Sequence, residues 1–216
     1  MRMTMTFKEI KAAIEKSGAD YLLKFKDHYH QKDIERDKFI AALDHKSFDF
    51  QIATWFGSGL MIPAPGTWGT VGGLLFGLLL WSFTNGFIIF LSAVALFILG
   101  LKVVANIEKQ LNSHDPSFIV IDEVAAILLV LSFNSLILSW LSAFGSHGYL
   151  SFILNVVTFI LFRYFDAKKP GFIGVIDRET KDEWGVMMDD IMAALYTIGV
   201  TILLCVGVNF LFLIAG

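Results

Sequence analysis

Residues 51–101, 124–162 and 191–216 contain no Asp, Glu, Lys or Arg, and these charge-free stretches are 51, 39 and 26 residues long. A helix that crosses a bilayer needs about 20 mostly apolar residues. Only a helix or a closed barrel satisfies every backbone amide and carbonyl once water is excluded. The last stretch therefore accommodates one helix, and each of the first two a hairpin of short or tilted helices. The expected fold is all-α, a multi-span helical membrane protein with about five apolar helices. A hydrophobic content of 56% and a mean hydropathy of +0.65 point the same way. Some apolar segments, such as 69–83, are short enough for the core of a soluble helical domain, but the run 191–215 is hard to wet in any fold.

Residues 1–50 are compositionally foreign to the rest, with ten of the 17 Lys and Arg and nine of the 20 Asp and Glu. They read as a small charged helical appendage to a membrane domain spanning 51–216. Thr6-Phe7-Lys8-Glu9 fits a capping box, and Phe7, Ile10, Ile14, Tyr21 and Phe25 recur at helical spacing. A second helix is expected over 33–43. The segment has no apolar core of a signal peptide. A single cysteine, Cys205, excludes an intrachain disulfide framework. The five histidines show no H-E-x-x-H spacing, and a net charge of −3 argues against a nucleic-acid partner.

Two hairpins each return the chain to the side it left, so residues 1–70, 102–123 and 163–190 share one face of the membrane. All 17 Lys and Arg lie in those segments. The turns, expected at Thr84-Asn85-Gly86 and within 142–148, have none. The positive-inside bias makes the charged face cytoplasmic.

The residues able to do chemistry gather on that face. Asp122-Glu123 and Asp189-Asp190 are each expected where an apolar helix begins. Either pair alone is equally well explained as a cap that complements the helix dipole, but two pairs at a lipid boundary, where uncompensated charge is costly, suggest function. Arg163 and Asp166 are three apart and share a helix face. Pro170 is expected to end that helix just after Lys169. Carboxylates beside Arg and Lys at headgroup level suit Mg²⁺ and a phosphate, because Mg²⁺ takes oxygen ligands from one or two carboxylates plus substrate phosphate. Arg offers phosphate a planar fork and Lys a point charge. The loop 56–70, with Gly66 and Thr67, is either an ordinary turn or a phosphate cradle; it lacks the Gly-Lys-Ser/Thr ending of a Walker loop.

Gly57-Ser58-Gly59-Leu60 with Pro65-Gly66-Thr67, Asp115 with Ile119-Val120-Ile121-Asp122-Glu123, Phe162-Arg163 with Asp166 and Lys169-Pro170, and Gly185-Val186-Met187-Met188-Asp189-Asp190 together resemble the phosphatidylglycerophosphatase A family. The blocks keep the family's order over roughly residues 52–205. The resemblance implies a bacterial inner-membrane, Mg²⁺-dependent phosphatase whose phospholipid substrate, phosphatidylglycerophosphate, becomes phosphatidylglycerol within the bilayer. It implies catalytic acids at Asp122, Glu123, Asp166, Asp189 and Asp190, with metal held by Asp122, Glu123, Asp189 and Asp190. Arg163, Lys169, Gly66 and Thr67 would meet the substrate phosphate, and Asp115 would support the site. Ala126, Ala167 and Thr70 depart from the family's usual residues without removing a charge. The alternative is a non-catalytic cation-binding membrane protein, ion-conducting or scaffolding, which predicts acids at span centres rather than span ends.

Overall fold

A computed structural model describes residue 34 and residues 36–142 and 148–215. The chain divides into two compact units, Met1–Leu43 and Asp44–Gly216. In the first, residues 36–42 are helical, within the helix expected over 33–43. The pattern from Phe7 to Phe25 and the turn residues 143–147 lie outside the described residues.

The second unit consists of α1 (Phe48–Ala53), a 3-10 turn (Ser58–Leu60), α2 (Pro65–Phe83), α3 (Gly86–Leu111), α4 (Ile121–Ser142), α5 (Gly148–Lys168), α6 (Phe172–Glu179) and α7 (Glu183–Ala215). The described residues contain no strand. Five of these helices, α2, α3, α4, α5 and α7, are long and apolar enough to cross a membrane. The protein is a multi-span helical membrane protein, as the charge-free stretches required.

Helix α4 is the hub and packs against α2, α3, α5 and α7. Its residues Val124–Leu131 are enclosed on all sides. Close approach of α2 comes from Gly69, Gly73 and Gly77, spaced by four so that they lie along one stripe. A Cβ at Gly69 would strike Val120, one at Gly73 would stand 2.7 Å from Ile127 and one at Gly77 would strike Leu131. Small residues at such spacing let two helices in lipid approach almost backbone to backbone, where van der Waals packing replaces the absent hydrophobic drive.

The first hairpin turns where expected. Asn85 caps α3, its Oδ1 accepting from the amides of Phe87 at 3.1 Å and Ile88 at 3.2 Å. Far from the charged face, the second hairpin is joined by Asn134, whose Nδ2 donates to Asn155 Oδ1 and to Thr158 Oγ1, both at 2.9 Å. All three residues are buried.

Two features place the start of α4. The Val120 amide donates to the Ala53 carbonyl at 2.8 Å, which ties the strap before α4 to the end of α1. Gly59 lies so close to the Phe118 carbonyl that a Cβ there would collide with it. The 3-10 turn and α1 thus fix the residues that lead into Asp122 and Glu123.

Helices also run past the charge-free stretches. Helix α3 continues ten residues beyond Leu101 to Leu111. Helix α7 begins at Glu183, so Asp189 and Asp190 lie well inside it, about two turns from its start. They do not stand where the helix begins, contrary to the expectation. Helix α5 ends at Lys168, one residue earlier than expected, and Lys169 takes a left-handed φ of 45°. The clash of the proline ring with the residue before it explains the early stop.

Candidate active site

The starts of α2 and α4 and the end of α5 converge on the part of α7 that lies about two turns from its own start. At their junction the carboxylates of Asp122, Glu123 and Asp190 each offer an oxygen within 4.8 Å of the others. Asp122 and Asp190 are buried, and the Glu123 side chain is 12% exposed. Asp122 and Glu123 lie in the first turn of α4. Asp122 Oδ1 accepts from the Glu123 amide at 3.0 Å, so half of this carboxylate does the work of a cap. Asp189 Oδ1 likewise accepts from the Asp190 amide at 2.9 Å, although that amide lies in the interior of α7.

The oxygens left over matter most. Glu123 Oε2 and Asp190 Oδ2 are buried without a hydrogen-bond partner. An unpaired buried polar atom is costly, and a carboxylate oxygen more so.

One cation faces the cluster directly. Arg163 Nη1 lies 2.5 Å from Asp166 Oδ2 and 3.6 Å from Glu123 Oε1, and it donates to Thr70 Oγ1 at 3.3 Å. Thr70 in turn donates to the Gly66 carbonyl at 2.7 Å. Arg163 and Asp166 share a face of α5, as their spacing predicted.

Gly66 and Thr67 occupy the first turn of α2, where Ala64 supplies no side-chain cap. A Cβ on Gly66 would collide with Glu123 Oε1 and stand 3.3 Å from Arg163 Nη2. The uncapped start of α2 therefore rests directly on the acidic cluster, and any larger residue at position 66 would have to displace the Glu123 carboxylate or the helix start.

Lys169 and Asp189 form a separate arm. Lys169 Nζ lies 2.5 Å from Asp189 Oδ2 and 2.6 Å from Asp177 Oδ1. Asp189 is thus held by a lysine, whereas the three clustered acids are not. Burial works against the charge on Lys169, but its hydrogen bonds to Asp177 and Asp189 outweigh it and hold the ammonium above the ordinary lysine range. The same bond from Lys169 holds the Asp177 carboxyl below the usual range. Asp177 was not among the residues expected from sequence. It stands in the charged run Asp177-Arg178-Glu179, where nothing in the spacing separates it from its neighbours.

Asp115 is exposed, with a left-handed φ of 48°. Its amide and His114 Nδ1 both reach Glu108 Oε1 at 2.7 Å. Its charge acts on Asp122 and Asp189 from the solvent side. Of the residues expected from sequence, Thr67 follows Gly66 in the first turn of α2 and Asp115 lies exposed at the solvent side, while Thr70, which was not expected, meets Arg163. Asp122, Glu123, Asp166, Asp190, Arg163, Gly66 and Thr70 form the centre of the junction, and Lys169 with Asp189 forms one flank.

Six carboxylates, those of Asp115, Asp122, Glu123, Asp166, Asp189 and Asp190, stand against Arg163 and Lys169. That surplus of negative charge, with two orphaned oxygens facing a three-carboxylate cluster, matches a hard cation that takes oxygen ligands. The donor set contains neither sulfur nor imidazole, which sets it apart from zinc and copper sites.

A polytopic helical membrane protein with a carboxylate cluster and an anchored arginine at the ends of its spans is the class that fold and site define. The chain belongs to the phosphatidylglycerophosphatase A family, whose model matches residues 51–205. Phosphatidylglycerophosphatase A of Haemophilus influenzae is 36% identical over 148 residues, 68% of this chain and 82% of that protein. Its namesake in Escherichia coli is 28% identical over 152 residues, 69% of this chain and 78% of that protein. No solved structure matches the chain.

Proposed function

We propose that this protein hydrolyses the terminal phosphomonoester of phosphatidylglycerophosphate to give phosphatidylglycerol, with Mg²⁺ as cofactor, on the cytoplasmic face of a bacterial inner membrane. The observation that carries the reading is the cluster of Asp122, Glu123 and Asp190 with its two orphaned oxygens beside Arg163. Family membership supplies the substrate class, and the distribution of Lys and Arg supplies the orientation.

In this reading Asp122, Glu123 and Asp190 hold the ion. Bound there, Mg²⁺ supplies Lewis acidity toward the phosphoryl oxygens and neutralises charge as the phosphorus–oxygen bond breaks. Arg163 is anchored through Nη1 by Asp166 and Thr70, which leaves Nη2, beside Gly66, to meet the phosphate. The free amides of Gly66 and Thr67 at the start of α2 add donors of the kind that bind phosphate at helix N-termini. Lys169 approaches from the flank as a point charge, and Asp189 orients it. Asp166 holds Arg163, whose Nη1 also reaches Glu123, so this pair links the cation that binds phosphate to the acids that bind metal. Hydrolysis adds water oxygen to phosphorus and releases the lipid hydroxyl, which takes up a proton. Asp122 and Asp190 are buried, and withdrawal from water strengthens electrostatic contacts of this kind. Residues 1–45 have no part in this chemistry in our reading.

An ion-conducting role would require charged groups along the span interiors. The central stretches of the spans carry only uncharged polar residues such as Asn134 and Asn155, so that reading gains nothing.

The test is phosphate release from vesicles containing phosphatidylglycerophosphate by the purified, inserted protein. Release is expected to fall to background with a chelator and to return when Mg²⁺ is restored. Turnover that ignores the chelator would remove the metal from the reading, and no release in excess Mg²⁺ would remove the activity.

A further inference from the structure

The arm formed by Lys169, Asp177 and Asp189 is built with more care than an exposed ion pair requires. After α5 ends, Lys169 takes a left-handed φ of 45°, Pro170 follows and Gly171 takes a φ of 60°. The chain reverses there and enters α6 at Phe172. Gly174, on the first turn of α6, is buried, and a Cβ there would stand 2.6 Å from the Lys169 carbonyl. Helix α6 therefore packs on the backbone of the same residue whose side chain its Asp177 grips. Gly174 and Asp177 are three apart and share one face, so a single helix face fixes Lys169 at both its carbonyl and its ammonium.

We infer that Asp177 is a positioning residue, which holds the Lys169 ammonium between α6 and Asp189 so that the lysine meets the lipid phosphate from a fixed place. An ammonium has three donors. Asp177 and Asp189 take two of them, and the third remains for the substrate. A lysine side chain is otherwise among the most mobile, and holding it before the ligand arrives lowers the cost of binding. Asp189 alone would hold one donor and leave the side chain free to rotate about that bond. The inference rests on the phosphatase reading, in which Lys169 touches the phosphate.

The experiment measures kcat and KM on phosphatidylglycerophosphate vesicles with Mg²⁺ for wild type, Asp177→Ala, Asp177→Asn, Asp177→Glu, Lys169→Ala and the double variant Lys169→Ala with Asp177→Ala. Asp177→Ala and Asp177→Asn should each lower kcat/KM by about tenfold, mainly through KM, the size expected when one charged hydrogen bond stops ordering a binding group. Asp177→Glu should recover most of the loss. In the Lys169→Ala background, removing Asp177 should change kcat/KM by less than about twofold, because the lysine it orders is gone. A residue that merely staples α6 to α7 predicts instead an equal loss in both backgrounds, tracked by a lower melting temperature. That additive pattern overturns the inference, as does near-normal kcat/KM in Asp177→Asn. Wild-type protein that releases no phosphate fails the phosphatase reading itself, a result distinct from either.

Discussion

Two buried polar groups lie in the same bundle and are built in opposite ways. Toward the far end of the second hairpin, Asn134, Asn155 and Thr158 form a closed knot. It is neutral, and the Asn134 amide donates to both partners while Thr158 Oγ1 also donates to the Leu154 carbonyl at 2.9 Å. At the charged face, Asp122, Glu123 and Asp190 crowd three carboxylates together and leave two oxygens without partners. A network that serves only the fold is expected to be complete, since a half-satisfied one is worse than none. Polarity inside the membrane therefore does not mark the site. Unsatisfied charge does, because it persists only where a ligand completes it or where function outweighs its cost.

The comparison breaks most sharply on the acids. Asp122→Asn and Asp190→Asn preserve shape and remove charge. Each should lower Mg²⁺-dependent turnover by on the order of a hundredfold or more, the scale of losing one transition-state electrostatic contact. The double variant should be scarcely worse than the poorer single, as for groups that act as one unit. In the presence of chelator the same variants should melt at a higher temperature than wild type, because the repulsion among the acids is relieved. Near-normal turnover in well-inserted Asp122→Asn and Asp190→Asn would reduce the cluster to the standing of the knot.

How much of this was legible in advance follows from what absence of charge records. It records contact with lipid, so the five spans and the turn at Asn85 could be read directly. It does not record where a helix stops. Helices α3 and α7 extend beyond the lipid boundary toward the site, and for that reason Asp189 and Asp190, expected at a helix start, lie about two turns inside α7. The convergence of Asp122, Arg163 and Asp190 was readable because two hairpins constrain which ends meet. The division of labour among the acids was not. Whether Asp189 joins the cluster or pairs with Lys169 depends on the reversal through Pro170 and Gly171 and on α6, an eight-residue helix without a charge-free stretch to announce it.

A smaller effect is expected at Gly66. The collision of a Cβ with Glu123 Oε1 has to be relieved by moving the carboxylate or the start of α2. Gly66→Ala should lower kcat/KM by about tenfold, in keeping with a small misplacement at a preorganised site, with insertion unchanged. Gly199→Ala is the control. A Cβ at Gly199 meets nothing within 4 Å, so turnover should stay at the wild-type level. Equal behaviour of the two variants would show that α2 does not rest on the acids in the working enzyme.

The smallest effect on turnover is expected at the knot itself. Asn134→Leu keeps roughly the same volume and removes both donated bonds, so the Asn155 carbonyl oxygen loses its partner. Hydrogen bonds between helices in a membrane contribute about 0.6 kcal/mol on average and up to about 1.7 kcal/mol, so a loss of about 1–2 kcal/mol in stability is expected for the pair. Turnover per inserted molecule should stay within about twofold of wild type, because Asn134 lies 12 residues beyond Asp122 on α4, about 18 Å along the axis. Adding Asn155→Leu should recover part of the lost stability, since replacing both partners by apolar groups removes the orphan as well as the bond. Thermal melting in detergent, read beside phosphate release, separates the two quantities. A tenfold fall in turnover without a fall in melting temperature would mean that the knot belongs to the active site, and the contrast between closed and open networks would no longer tell one from the other.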